Sequence, residues 1–216
     1  MNRPKIKICG LRRKEDIEAV NEIKPDLIGF VFVKGRKRFV SFEEARILKA
    51  DLSEDIKAVG VFINEDVETV AELLNDKTID IAQLHGDEDN DYIDRLRELI
   101  KESGNDRVPE RTLVIRAFQI RSKEDIIKAE DSHADMILLD SGTGSGEVFD
   151  WQLLRDVKRP FFLAGGLDIT NIEKALNEIE PYGVDVSSGV ETEGFKDRIK
   201  MTDFVGAVRK ERKNGR

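Results

Sequence analysis

Short runs rich in Val, Ile, Leu and Phe alternate along this chain with longer charged stretches in which apolar residues recur at helical spacing. The apolar runs cover residues 6–9, 27–33, 58–63, 79–84, 113–118, 136–139, 161–164 and 184–186, eight in all. Amphipathic stretches fall between them at 16–23, 42–50, 66–74, 92–100, 124–129 and 171–179, with a last one at 199–209. Three carry helix-start signals: Ser41 before Glu43 and Glu44, Ser122 before Glu124 and Asp125, and Thr170 three residues before Glu173. Near-continuous apolar strands imply burial on both faces, the habit of a parallel sheet covered by helices. Strand–helix alternation then leaves an open doubly wound sheet or a closed (β/α)8 barrel. Dividing 216 residues over eight units suits a lean barrel. No Pro-, Gly- or Ser-rich linker divides the chain, and polar 103–110, with Gly104 and Pro109, reads as a loop before the fifth strand. The expectation is an α/β protein made of one (β/α)8 TIM barrel over residues 1–216.

Composition narrows the class. Lys and Arg number 36 against 44 Asp and Glu, a formal charge of −8 that argues against general nucleic-acid binding. Charged residues reach 37%, above the usual quarter, but the two signs are interleaved, as on a solvated surface with ion-pair networks. The basic end 209–216 reads as a frayed, solvated helix end. One Cys excludes an internal disulfide, and the longest apolar run, 27–33, is too short to cross a bilayer. No signal-like stretch follows Arg3, Lys5 and Lys7, so a cytoplasmic location without membrane contact is expected, as a monomer or homodimer.

A barrel keeps its chemistry at the carboxyl ends of its strands. Reading those ends gives Cys9, Asn64, His85, Asp140, Gly165-Gly166 and Ser187-Ser188-Gly189. Glycines let backbone N–H groups curl around an anion, and barrel phosphate sites recur after the seventh and eighth strands. Either glycine loop alone could equally be a tight turn; the two together favour phosphate. The cluster Gly142-Thr143-Gly144-Ser145-Gly146 lacks the Lys-Ser or Lys-Thr of a Walker loop, leaving a plain flexible loop or a cover over a phosphosugar. Cys9 alone could be an inert core thiol. Asp140 is harder to set aside, because a carboxylate leaving an apolar strand needs partners or water. Together they offer a base and an acid across one mouth. Arg38, in the loop after the second strand, could grip a carboxylate with two parallel hydrogen bonds. His85 could be an acid, a base or a turn residue, and His133, at the other end of its strand, is given no chemistry. One Cys and two separated His do not make a zinc site.

Several of these residues stand in motifs: Lys7-Ile-Cys9-Gly10-Leu11, Gly29-Phe-Val-Phe32, Arg38-Phe-Val-Ser41, Gly60-Val-Phe62, Gln83-Leu-His85-Gly86, Leu138-Leu-Asp140, Phe149-Asp-Trp151, Ala164-Gly-Gly-Leu167 and Val184-Asp-Val-Ser-Ser-Gly-Val-Glu191. In this order, from about residue 5 to 209, the series resembles the phosphoribosylanthranilate isomerase family of tryptophan biosynthesis. The resemblance implies an Amadori rearrangement of N-(5-phosphoribosyl)anthranilate to 1-(2-carboxyphenylamino)-1-deoxyribulose 5-phosphate. It implies Asp140 as general acid and Cys9 as general base. Arg38 would bind substrate through the anthranilate carboxylate, and His85, from its strand-end position, is expected to bind substrate as well. The phosphate would sit on Gly144, Ser145, Gly146, Gly165, Gly166, Ser188 and Gly189, with a phosphosugar as the small-molecule partner and no cofactor or metal. Glu147 departs from the Lys or Thr often found there in the family, and a carboxylate beside phosphate would have to turn away. Two other readings are a histidine-pathway phosphoribosyl isomerase, which generally has Asp where Cys9 stands, and a non-catalytic phosphosugar-binding barrel, which the pairing of Cys9 with Asp140 disfavours.

Overall fold

The computed structural model describes residues 3–102, 114–140 and 151–210. Its first half runs β1 (Lys5–Cys9), α1 (Lys14–Ile23), β2 (Leu27–Val31), α2 (Phe42–Ala50), β3 (Lys57–Phe62), α3 (Val67–Asn75), β4 (Ile81–Leu84) and α4 (Asn90–Glu102). The second half runs β5 (Val114–Gln119), α5 (Lys123–Glu130), β6 (Met136–Asp140), β7 (Phe161–Ala164), α6 (Ile172–Ile179) and β8 (Gly183–Val186). A small hairpin, β9 (Glu191–Thr192) and β10 (Phe195–Lys196), precedes α7 (Arg198–Lys210). Strands β1 to β8 close into a barrel of parallel neighbours, β8 pairing back onto β1 with Lys7 opposite Asp185. The expected barrel is present, its eight strands in chain order. Between β6 and β7 the described residues hold a 3-10 segment, Trp151–Asp156, where no amphipathic stretch was expected.

The two-residue period of a strand sorts the side chains. Ile6, Ile8, Ile28, Phe30, Ala58, Ile137, Leu139 and Leu163 face outward and are buried beneath the helices. Leu27, Val59, Ile81, Ile115, Ala117, Leu138, Phe162 and Ala164 face inward and form a separate cluster that fills the barrel. The helix starts follow their local chemistry with one exception. Ser41 accepts from the backbone of Glu44 at 3.2 Å while Glu44 accepts from the backbone of Ser41 at 2.7 Å, a reciprocal cap. Ser122 and Asp125 are paired in the same way. Thr170 does not cap α6: its hydroxyl and amide both donate to Asp168, and the helix begins after Asn171. Two strands are shorter than expected, β2 ending at Val31 and β4 starting at Ile81.

A repeated device pins the amino-terminal end of the barrel. Asp26, Asp80 and Asp135 each lie just before an even-numbered strand and accept the backbone N–H of the preceding odd strand. The donors are Ile6 (3.0 Å), Ala58 (2.8 Å) and Val114 (3.0 Å). Basic side chains hold each carboxylate as well: Arg3 and Lys5 on Asp26, Lys49 on Asp80, Arg97 on Asp135. Burial works against the Asp26 charge, yet hydrogen bonds from Arg3, Lys5 and the Ile6 backbone hold it below the usual carboxylate range. Of the basic stretch 209–216, Arg209 and Lys210 are among the described residues and belong to a helix. α7 continues to Lys210, and Arg209 donates to the carbonyls of Ile23 (3.1 Å) and Lys24 (2.5 Å), closing the carboxyl end of α1.

Candidate active site

At the opposite end, the carboxyl ends of the strands open onto a cavity of about 690 Å³. Cys9 from β1, Arg38 from the loop after β2, His85 after β4 and Asp140 at the end of β6 all line it. So do Gly165 and Gly166 after β7 and Ser188 after β8. With Ser187, eight residues singled out in the sequence thus share one cavity. Gly165 and Gly166 adopt φ of 99° and 61°, a left-handed turn that L side chains adopt only with strain. Gly189 stands behind the wall, where an added Cβ would run into the Leu167 carbonyl. That lets the β7 and β8 loops pack closely. Gly144, Ser145 and Gly146, with Glu147, lie outside the described residues.

Cys9 occupies a cationic corner. Its Sγ lies where Gly29, its register partner on β2, leaves room; a Cβ there would stand 2.7 Å from the sulfur. Lys7, one inward position deeper on β1, is fully buried and bonds Asp185 on β8 at 3.0 Å. Burial opposes the Lys7 charge, but the Asp185 carboxylate, and the Cys9 sulfur when ionised, outweigh it and raise the ammonium above its ordinary value, so it stays protonated. Burial pushes the Cys9 thiol up as well; Lys7 pulls it down, Asp185 pushes it up, and Lys196 pulls it down. Asp185 keeps one oxygen, Oδ1, buried with no hydrogen-bond partner, and Gln83 Oε1 is in the same condition on the cavity wall.

The Asp140 side is built differently. His85 Nε2 stands 3.8 Å from Asp140 Oδ2. Burial pushes the imidazole below its ordinary value, partly offset by Asp140, so His85 is neutral at neutral pH. The loop carrying His85 is braced from below. Buried Glu88 accepts from the backbone N–H of Asn64 (2.7 Å) and Gly86 (2.8 Å), and Arg116 donates to the carbonyls of Leu84 (3.1 Å) and Gly86 (2.8 Å). His133 is far from this chemistry, exposed, with Nδ1 2.9 Å from Asp94.

Arg38 is already held. Its Nε and Nη2 each donate to Glu191 at 2.7 Å, and Glu191 also accepts from Lys196 Nζ at 2.6 Å. Burial would raise the Glu191 carboxyl; the hydrogen bonds from Arg38 and Lys196 bring it down to about 2. Sequence reasoning missed Lys7, Gln83, Asp185, Glu191 and Lys196. A signal existed for three of them. Stepping back two residues from the strand-end positions Cys9, His85 and Ser187 lands on Lys7, Gln83 and Asp185, the inward face one layer below the mouth. Among the described residues, no group of three or more His, Cys, Asp or Glu is arranged to hold a metal ion.

Polar side chains gathered at the carboxyl end of a closed parallel barrel set this chain in the class of (β/α)8-barrel enzymes. Residues 6–207 match the family model of N-(5'phosphoribosyl)anthranilate (PRA) isomerase. The N-(5'-phosphoribosyl)anthranilate isomerase of Acetivibrio thermocellus is 46% identical over 213 residues, covering 94% of this chain and 95% of that one. The corresponding enzyme of Thermoanaerobacter sp. (strain X514) is 43% identical over 212 residues, covering 95% and 98%. Among solved structures, phosphoribosyl anthranilate isomerase from Thermotoga maritima superposes with a TM-score of 0.83 at 34% identity, covering 95% of this chain and 98% of that one. A phosphoribosyl anthranilate isomerase in complex with reduced 1-(o-carboxyphenylamino)-1-deoxyribulose 5-phosphate gives 0.80 at 33% identity, with the same coverage. The chain belongs to the phosphoribosylanthranilate isomerase family, isomerases of tryptophan biosynthesis. No helix among the described residues is long and apolar enough to cross a membrane.

Proposed function

We propose that this cavity carries out the Amadori rearrangement of N-(5-phosphoribosyl)anthranilate, with Asp140 as general acid and Cys9 as general base. The observation that carries the reading is that both groups line one 690 Å³ cavity together with an arginine and two glycine-containing turns. Asp140 gives its proton to the ribose ring oxygen as the C1′–O bond breaks, and the anilino nitrogen supplies the electron pair that forms the Schiff base. Cys9, as thiolate, then takes the proton from C2′. The C2′–H electrons become the C1′–C2′ double bond of an enolamine, which discharges the iminium. Tautomerisation moves the hydroxyl proton to C1′ and leaves the ketone at C2′. C1′ is reduced as C2′ is oxidised, so the step is redox-balanced within the substrate and calls for no external electron carrier.

Each remaining wall has a task in this reading. Gly165, Gly166 and Ser188 offer a turn for the 5′-phosphate, with Gly189 allowing their close approach; Gly144, Ser145 and Gly146, outside the described residues, are assigned to the same phosphate by the family resemblance. Arg38 receives the anthranilate carboxylate. Lys7 and Lys196 favour the Cys9 thiolate against its burial. His85, neutral, sits beside Asp140 as a substrate-side neighbour. Gln83 Oε1 and Asp185 Oδ1, buried acceptors without donors, suit the hydroxyls of a sugar chain. The test is to generate phosphoribosylanthranilate freshly and follow the loss of its anthranilate fluorescence. The protein should accelerate that loss, and absence of acceleration would overturn the reading.

A further inference from the structure

The β9–β10 hairpin has no place in the barrel itself, yet two of its side chains bond to Arg38 and Ser187, which line the cavity. Glu191 opens β9 and Lys196 closes β10, cross-strand partners in the hairpin register. Lys196 is almost fully buried, and its ammonium donates to Glu191 at 2.6 Å and to the Ser187 carbonyl at 2.9 Å. Ser187 Oγ in turn donates to the carbonyl of Cys9 at 2.9 Å. Glu191 takes the Nε–Nη2 edge of Arg38 with two bonds of 2.7 Å. A continuous hydrogen-bonded chain therefore runs from the arginine through Glu191, Lys196 and Ser187 to the strand end that carries the thiol. The Arg38 stem lies across Gly10, where no Cβ would fit, and this fixes the other end of the side chain.

The geometry matters because a guanidinium has two edges that can take a carboxylate. Glu191 fills the inner edge. The outer edge, Nη1 with the second N–H of Nη2, keeps its donors on a residue that lines the cavity. A free arginine would spread over many rotamers and lose that entropy on each binding event. One clamped on a buried carboxylate is already aimed. Lys196 balances the second negative charge when a ligand carboxylate arrives, so the corner then holds two cations and two anions.

We propose that Glu191 is a positioning residue for substrate binding: it locks Arg38 so that the outer guanidinium edge meets the aryl carboxylate, and Lys196 holds Glu191 in place. This rests on the reading of Arg38 as the carboxylate ligand. The test is a double-mutant cycle of Arg38→Ala and Glu191→Gln, read as KM against kcat for N-(5-phosphoribosyl)anthranilate. Glu191→Gln should raise KM roughly 10-fold, the scale of one charge-assisted hydrogen bond, and change kcat less than about twofold. In the Arg38→Ala background it should change KM less than about twofold. The carboxylate-free analogue N-(5-phosphoribosyl)aniline should show the same KM with wild type and Glu191→Gln. Because Glu191→Gln leaves Lys196 buried without its partner, Glu191→Gln/Lys196→Met is measured beside it, with thermal melts on both; the same KM rise in this charge-free pair supports the role. A raised KM in Arg38→Ala with a wild-type KM in Glu191→Gln overturns the Glu191 role alone. An equal KM rise in both backgrounds also overturns it. An unchanged KM in Arg38→Ala overturns it together with the assignment of Arg38.

Discussion

The two ends of the barrel use the same residue types for different ends. At the amino-terminal end, Asp26, Asp80 and Asp135 accept a strand N–H and hold a cation of opposite charge, so their oxygens serve the fold. At the carboxyl end, Asp185 leaves one buried oxygen unsatisfied, Gln83 leaves another, and Arg38, a lining residue, commits only its Nε–Nη2 edge to Glu191. Buried polar groups are nearly always satisfied, so two open acceptors on the wall of one cavity suit the donors of a ligand. The base of the barrel also keeps one buried oxygen open, Thr78 Oγ1 before β4, so the contrast lies in the charged groups: each of the three carboxylates there is held by a strand N–H and a cation, whereas Asp185 keeps one oxygen open.

The sharpest way to break this contrast is to neutralise one carboxyl at each end. Asp140→Asn should cut kcat at least ~100-fold, the scale of lost general acid catalysis, while the melting temperature holds. Asp80→Ala should do the reverse. It strands the Ala58 N–H and frees Lys49, so the protein should lose about 1–3 kcal/mol of stability by denaturant titration, with kcat within twofold of wild type. If both variants lost activity in parallel with stability, the division of labour would fail. A subtler effect concerns pH. Asp26 is held below the usual carboxylate range, so its contribution to stability is full above the ordinary value near 3.8 and is lost as pH falls through the lower folded value. The stability advantage of wild type over Asp26→Asn should be constant above about pH 5 and shrink below about pH 4. An advantage that grows on acidification would contradict the pairing.

The fold was legible because its signal is repeated. Eight inward- and outward-facing apolar runs separated by amphipathic stretches leave few architectures, and strand-end positions then follow from the barrel rule. His85, Asp140 and the glycine turns stand out because each ends an apolar run, and Cys9 because it is the one thiol of the chain and stands at a strand end. Lys7 and Asp185 were hidden inside such runs, where a single polar residue reads as noise until the inward face is known. Glu191 and Lys196 were less visible still, since the hairpin that carries them has two-residue strands with no periodicity to detect. Thr170 misled for the opposite reason. Its spacing to Glu173 is that of a capping box, but Asp168 competes for the same hydroxyl and amide and wins by being closer in the chain. Local hydrogen bonding of that kind cannot be ranked from spacing.

Cys9, the proposed thiol base of the mouth, is the only cysteine in the chain. Alkylation by iodoacetamide can therefore be counted against one site by mass and compared with the isomerisation rate of the same sample. Burial pushes the thiol up, so the labelling rate should keep rising with pH beyond the ordinary thiol value. Reduced 1-(o-carboxyphenylamino)-1-deoxyribulose 5-phosphate should slow it. Activity should fall in direct proportion to the fraction of Cys9 alkylated in the folded protein. Full activity after stoichiometric alkylation would contradict the assignment of Cys9 as base.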